Sequence, residues 1–221
     1  MKICDGIFGY IWRGVFENNC NTFYLGEPLN MLIDPGLAKY VDMHFTDMQK
    51  DGIDTKAIDY VIATHSHPDH FEGCAMFMGK GPQVVMHKDE IAFLHEVGPQ
   101  FFAMFGMQFP QFTFDIVLEE GEWKIGNEVL QVYKTPGHSP GSMCLYWASK
   151  KVLVCGDLIF KESVGRTDFP GGDGTLLKES IQRMKELDIE YLLPGHMDIV
   201  VGKNNIKKNF ELIEKYIFPM L

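Results

Sequence analysis

Eight histidines occur in the chain, and five of them, His65, His67, His70, His138 and His196, fall where an apolar run ends in a polar turn. Two carboxylates share that placement: Asp69 in His65-Ser66-His67-Pro68-Asp69-His70, and Asp157 in Cys155-Gly156-Asp157. Imidazole and carboxylate are donors that zinc, iron and manganese accept at neutral pH without sulfur. Residues i and i+2 of an extended or turning segment point the same way, so His65 and His67 can share one ion. Asp69 and His70 follow the bend made by Pro68 and can face a second, neighbouring position. Thr135-Pro136-Gly137-His138 and Pro194-Gly195-His196 repeat one device, a tight Pro-Gly turn that presents a histidine. The grouping predicts a metal centre; His44, His87 and His95 lie outside it and read as capped-turn or surface residues.

The elements that must carry these turns are legible from periodicity. Segments 21–25 and 31–33 read as a hairpin, and Val41, Phe45 and Met48 repeat at helical spacing until Gly52. The apolar β-rich run 60–64 predicts a buried strand ending at His65, followed by a short helix over 71–78. A strand over 84–86 and a helix over 89–97 come next. Four strands are expected over 123–125, 129–134, 143–147 and 152–155, and a last one over 191–193. Leu177, Ile181 and Met184 mark one closing helix; Ile206, Phe210, Ile213 and Ile217 mark another. Strands in blocks with helices outside them predict an α/β (α+β) architecture of two packed sheets covered by helices. No repeat, low-complexity tract or linker divides the chain, so residues 1–221 are expected to form one domain.

Two further segments bear on chemistry. Arg166 has two readings: a salt bridge to Asp168, or a bidentate clamp on a substrate carboxylate. The aromatic and methionine-rich stretch from Phe101 to Pro110 reads either as a helix packed on a sheet or another subunit, or as an apolar wall that selects an acyl group.

Composition narrows the partners. Twenty Lys and Arg against thirty Asp and Glu give a net charge of −10, which disfavours broad contact with nucleic acid or an anionic membrane. No apolar run approaches the ~20 residues that cross a bilayer. The start at Met1 lacks the basic and apolar stretches of a signal peptide, so a cytoplasmic location is expected. The five cysteines form no Cys-x-x-Cys and read as small buried residues in a reducing compartment.

Taken in order, the His-x-His-x-Asp-His cluster, the Pro-Gly-His turn, the Gly-Asp turn and the final Pro-Gly-His resemble the metallo-β-lactamase superfamily. The resemblance spans residues 21–196. The loop Val164-Gly165-Arg166-Thr167-Asp168-Phe169-Pro170-Gly171-Gly172 is similar to that of glyoxalase II-like thioester hydrolases and the related persulfide dioxygenases. This resemblance implies an αββα sandwich of two mixed β-sheets flanked by helices. It implies two divalent ions, zinc first, with iron or manganese as alternatives. His65, His67 and His138 would hold one ion, Asp69, His70 and His196 the other, and Asp157 would bridge them. Asp69 and Asp157 would then be the catalytic carboxylates, and a metal-bridging hydroxide would attack a thioester or ester carbonyl. The partner implied is a small-molecule thioester or a related substrate, with a homodimer allowed for. The competing implication is a mononuclear non-haem iron persulfide dioxygenase using only His65, His138 and Asp157. A non-enzymatic metal-binding protein is the remaining class. The chain departs from full-length glyoxalase II in two places. Only a short segment follows His196, where that family carries a basic helical extension for glutathione. Ser142 stands where many relatives have a second Gly-His.

Overall fold

Strands that are apolar at every position must be covered on both faces. The computed structural model, which describes residues 1–221, meets that demand with two stacked sheets. The first contains β1 (Lys2–Cys4), β2 (Ile7–Tyr10), β3 (Thr22–Leu25), β4 (Met31–Ile33), β5 (Tyr60–Ile62), β6 (Gln83–His87) and β7 (Ile116–Leu118), in that spatial order. Its first four strands are antiparallel neighbours, and β4 to β7 run parallel. The parallel crossovers are supplied by helices α1 (Ala38–Lys50), α2 (Pro68–Phe71) and α3 (Lys88–Met104).

The second sheet is built from β8 (Gly121–Ile125), β9 (Glu128–Lys134), β10 (Met143–Trp147) and β11 (Val152–Gly156), with a small ribbon of β12 (Ile159–Phe160) and β13 (Ser163–Val164) beside it. After α4 (Gly174–Lys185), strand β14 (Tyr191–Pro194) returns parallel to β11, and β15 (Val200–Val201) forms the edge before α5 (Lys203–Leu212).

Alternation along each strand sorts side chains between layers. On β3, Phe23 and Leu25 enter the core between the sheets, while Tyr24 joins the layer under α1 and α3. On β11, Val152 and Val154 face that central core, while Leu153 and Cys155 pack beneath α4 and α5. Each fully buried Leu, Ile or Phe contributes roughly 1.5–3 kcal/mol relative to exposure. The result is two mixed sheets flanked by helices. No helix is long and apolar enough to cross a membrane.

Several sequence expectations shift. The short helix begins at Pro68, not at residue 71, because proline suits the first helical position and its missing N–H costs nothing there. Helix α3 continues past residue 97 through Gly98 and Pro99 to Met104, since Phe102 is buried against the first sheet and Phe101 against His67 and Phe169, and tertiary burial outweighs local propensity. Strands β1, β2 and β7 carry no clear alternation and lie outside the sequence expectation; β2 pairs with β3, β1 with β2, and β7 with β6.

Candidate metal centre

All seven sequence-predicted ligands converge at one end of the stacked sheets. His65 and His67 leave β5, Asp69 and His70 occupy the first turn of α2, His138 follows β9, Asp157 follows β11, and His196 follows β14. Ligand-type atoms of His65, His67 and His138 lie within 4.8 Å of one another, as do those of Asp69, His70 and His196, and those of His65, His70 and Asp157. Glycine at 195 is a steric requirement: a Cβ there would stand 2.3 Å from Asp157 Oδ1 and 2.6 Å from His70 Cε1.

The backs of three imidazoles are fixed. His70 Nδ1 donates to Asp34 Oδ2 at 2.9 Å, His65 Nδ1 donates to Thr64 Oγ1 at 3.1 Å, and His138 Nδ1 donates to the Arg166 carbonyl at 2.7 Å. Each bond places a proton on Nδ1 and turns Nε2 toward the cluster, the arrangement that orients metal-binding histidines. Asp34 also accepts from the Thr64 backbone N–H at 2.7 Å and from its hydroxyl at 2.8 Å. It does so from a left-handed backbone, φ 51°, a strain that persists only where the surroundings enforce it.

What the cluster lacks is partners on its inner side. His65 Nε2, His67 Nε2, His138 Nε2 and Asp157 Oδ1 are buried and make no hydrogen bond. Buried polar atoms are nearly always paired, so four orphans pointing at one spot fit a cation that would satisfy them together. The remaining contacts are close: His196 Nε2 lies 3.3 Å from both Asp69 Oδ2 and Asp157 Oδ2.

Electrostatics agree with that donor set. Burial, reinforced by the neighbouring histidines, pushes His65 and His67 well below the ordinary imidazole range, which keeps them neutral and able to ligate. Burial alone would raise Asp157, but His196 and His70 outweigh it and hold its carboxyl well below the usual range. Asp69 is lowered in the same way against its own burial, by His70 and His196.

Sequence reading missed two buried acids that build this site. Asp34 sits in Asp34-Pro35-Gly36, a strand-end turn of the kind that flagged the ligands, so a signal was present. Glu90 had none. Fully buried near the start of α3, its Oε1 accepts from the Ser66 N–H at 2.8 Å and the Ser66 hydroxyl at 2.6 Å. Its Oε2 accepts from the Ser139 hydroxyl and the Gly141 N–H, both at 2.8 Å. One carboxylate therefore ties the His65–His67 loop to the His138 loop. Ser142, at 2.6 Å from Ser139 Oγ, belongs to the same network.

The cluster opens into a cavity of about 530 Å³ walled by Phe105, Phe160, Phe169 and Met197. Arg166 lines it, yet its guanidinium is paired bidentately with Asp168, both contacts at 2.6 Å, and lies 3.8 Å from the Phe169 ring centre. The ion-pair reading of Arg166 is thus formed in this structure. The 101–110 stretch divides: Phe101 and Phe102 are buried, and Phe101 packs 4.7 Å from the His67 ring, whereas Phe105 stands at the cavity.

A family model described as the metallo-beta-lactamase superfamily matches residues 15–196. The chain is 30% identical over 185 residues to the probable metallo-hydrolase MJ0888 of Methanocaldococcus jannaschii, covering 81% of this chain and 88% of that protein. It is 29% identical over 195 residues to hydroxyacylglutathione hydrolase GloC of Haemophilus influenzae, covering 84% of each. Among solved structures, TTHA1623 in a di-iron-bound form aligns with a TM-score of 0.73 and 28% identity over 94% of this chain and 97% of that one.

Proposed function

This chain belongs to the metallo-beta-lactamase superfamily, and from that premise we propose that it is a thioester hydrolase working with two divalent ions. In this reading His65, His67 and His138 hold one ion, Asp69, His70 and His196 hold the other, and Asp157 serves both. The observation that carries it is the set of four inward-facing buried orphans, His65 Nε2, His67 Nε2, His138 Nε2 and Asp157 Oδ1. The likeness to GloC and the 164–172 loop support thioesters as the substrate class.

Metal bound there would supply a water acidified from its bulk value of 15.7 to about 7 and a Lewis acid for the carbonyl. The protein's own residues do the rest. Asp34, Thr64 and the Arg166 carbonyl hold the Nδ1 sides of His70, His65 and His138, so three of the donors are oriented in advance. Asn18 Nδ2 donates to Asp69 Oδ2 at 2.6 Å and orients that carboxylate at the cavity floor. Phe105 and Phe169 limit water around the scissile group. Arg166 meets a substrate carboxylate by exchanging it for Asp168. The small-molecule cavity and the charge of −10 support a small substrate in preference to nucleic acid or membrane. Zinc is the favoured metal.

Metal-stripped protein should cleave no member of a panel of acyl thioesters, and added zinc, manganese or iron should restore cleavage of at least one. A fully loaded protein that cleaves none overturns the reading. About one iron per chain with persulfide-dependent oxygen uptake would put the chain among the dioxygenases instead.

A further inference from the structure

A second cavity, about 570 Å³, adjoins the first, and Asn18, Asp69 and Phe105 line both. Each volume lies within the ~300–1,000 Å³ range of small-molecule sites. The two differ in what they offer a ligand. Arg166 lines the first, and its partner Asp168 is not part of that wall. In the second, the only lysine, Lys39, is held by Glu17 at 2.7 Å, and Glu72 accepts from the Ala38 N–H at 2.9 Å. With its one cation already paired, this wall offers a substrate carboxylate nothing, and Leu37, Pro68, Phe105 and Met107 supply its apolar part.

Phe105 is the partition. It caps the end of α3, where Gly106 turns the chain back at φ 68°. Its ring is braced 5.2 Å from Phe101 and 5.7 Å from Phe169, yet the residue remains 47% exposed. The exposed ring lines both cavities where they adjoin. Asp69, shared by both, marks where the reacting group of a bound molecule would lie.

We infer that the site takes an elongated substrate whose uncharged apolar arm occupies the second cavity, while a carboxylate-bearing arm lies in the first beside Arg166, the two parting at Phe105. This rests on the thioester reading and narrows its substrate class to thioesters with one acidic and one linear apolar arm. Each methylene removed from water there contributes roughly fourfold to kcat/KM, on the order of 200-fold from a two-carbon to a six-carbon arm.

The test uses the metal-loaded protein and two reciprocal series: acetyl to hexanoyl thioesters of 3-mercaptopropionate, and succinyl thioesters of ethanethiol to hexanethiol. At least one series should rise by that factor, and the series that rises identifies which arm is apolar. Ala38→Trp, at the half-buried start of α1, should collapse the long-to-short ratio toward one by filling the second cavity; Met107→Trp serves if that variant misfolds. Binding of the uncleavable thioether S-hexyl-3-mercaptopropionate, followed by calorimetry against its S-ethyl homologue, reads the cavity without hydrolysis. Cleavage with a flat ratio in both series overturns the inference and leaves the hydrolase standing. Chain-dependent thioether binding without cleavage of any thioester supports the cavity and overturns the hydrolase. A long-to-short ratio unchanged in both Trp variants overturns the assignment of the second cavity.

Discussion

Arg166 shows how one residue can hold two roles in sequence. Its pair with Asp168 is bidentate but exposed, and solvent screening leaves such pairs with little net strength. The arginine draws the Asp168 carboxyl down to about 2, so both groups are charged throughout the neutral range. A substrate carboxylate has only that weak pair to displace. Arg166→Met should therefore raise KM for acidic thioesters by one to two orders of magnitude, on the scale of ~1.5–3 kcal/mol for a charge-assisted hydrogen bond. Neutral thioesters should change little. Steady-state kinetics on matched acidic and neutral substrates decides it: equal losses on both, with a lowered melting temperature, assign Arg166 to loop structure alone.

At the scale of elements, α3 does more than cover the sheet. Its first turn carries Glu90 between the two loops that present His65, His67 and His138, and Gly141 lets that loop approach so closely that a Cβ would stand 2.0 Å from the Glu90 backbone nitrogen. In Glu90→Gln an amide must face at least one backbone N–H that cannot rotate away. Leaving such a buried donor unmatched costs about 1–3 kcal/mol. The expected outcome is a lower midpoint of chemical denaturation by that amount, together with looser metal at the His65–His67–His138 position. A chelator competition and the visible spectrum of the cobalt-loaded protein would register the second effect. An unaltered cobalt spectrum would confine Glu90 to packing.

For the molecule as a whole, the site depends on holding two halves of the chain in register. The first half brings His65 to His70, and the second brings His138, Asp157 and His196. Asn21 clasps them, donating its N–H to the Gly195 carbonyl at 2.6 Å and its amide to the Pro194 and Met197 carbonyls at 2.9 and 2.8 Å. Met143 N–H donates to the Thr64 carbonyl at 3.0 Å. Stability of this assembly should fall with acid for a reason separate from the ligands. Burial on the inward face of α1 lowers His44 from the ordinary 6.5 to about 4. A depressed imidazole makes the unfolded chain take up the proton first, so stability is retained above pH 6.5 and lost as pH falls toward 4. The loss amounts to roughly 3 kcal/mol by the lower limit. The difference between wild type and His44→Gln in denaturation midpoints from pH 7 to 4 isolates it, and a difference that does not vary with pH rules it out.

The histidines and aspartates at strand ends, and the strands that deliver them, were readable because periodicity and turn chemistry are local. Apolar runs at 60–64, 143–147 and 152–155 must be buried, and a Pro-Gly turn after such a run can only present its next residue at the sheet's end. The same locality limits the reading. Glu90 meets Ser66, Ser139 and Gly141 across 24, 49 and 51 positions of chain, and no short pattern records a carboxylate whose partners are backbone donors brought together by stacking. Helix α3 runs through Gly98 and Pro99 because Phe101 and Phe102 gain more by burial than the helix loses at those residues. The amino-acid order determined which residues could share a site. Only the packing of two sheets decided which acids support them, which face of Arg166 is already occupied, and that Phe105 stands between two cavities, since each depends on contacts between segments far apart in the chain.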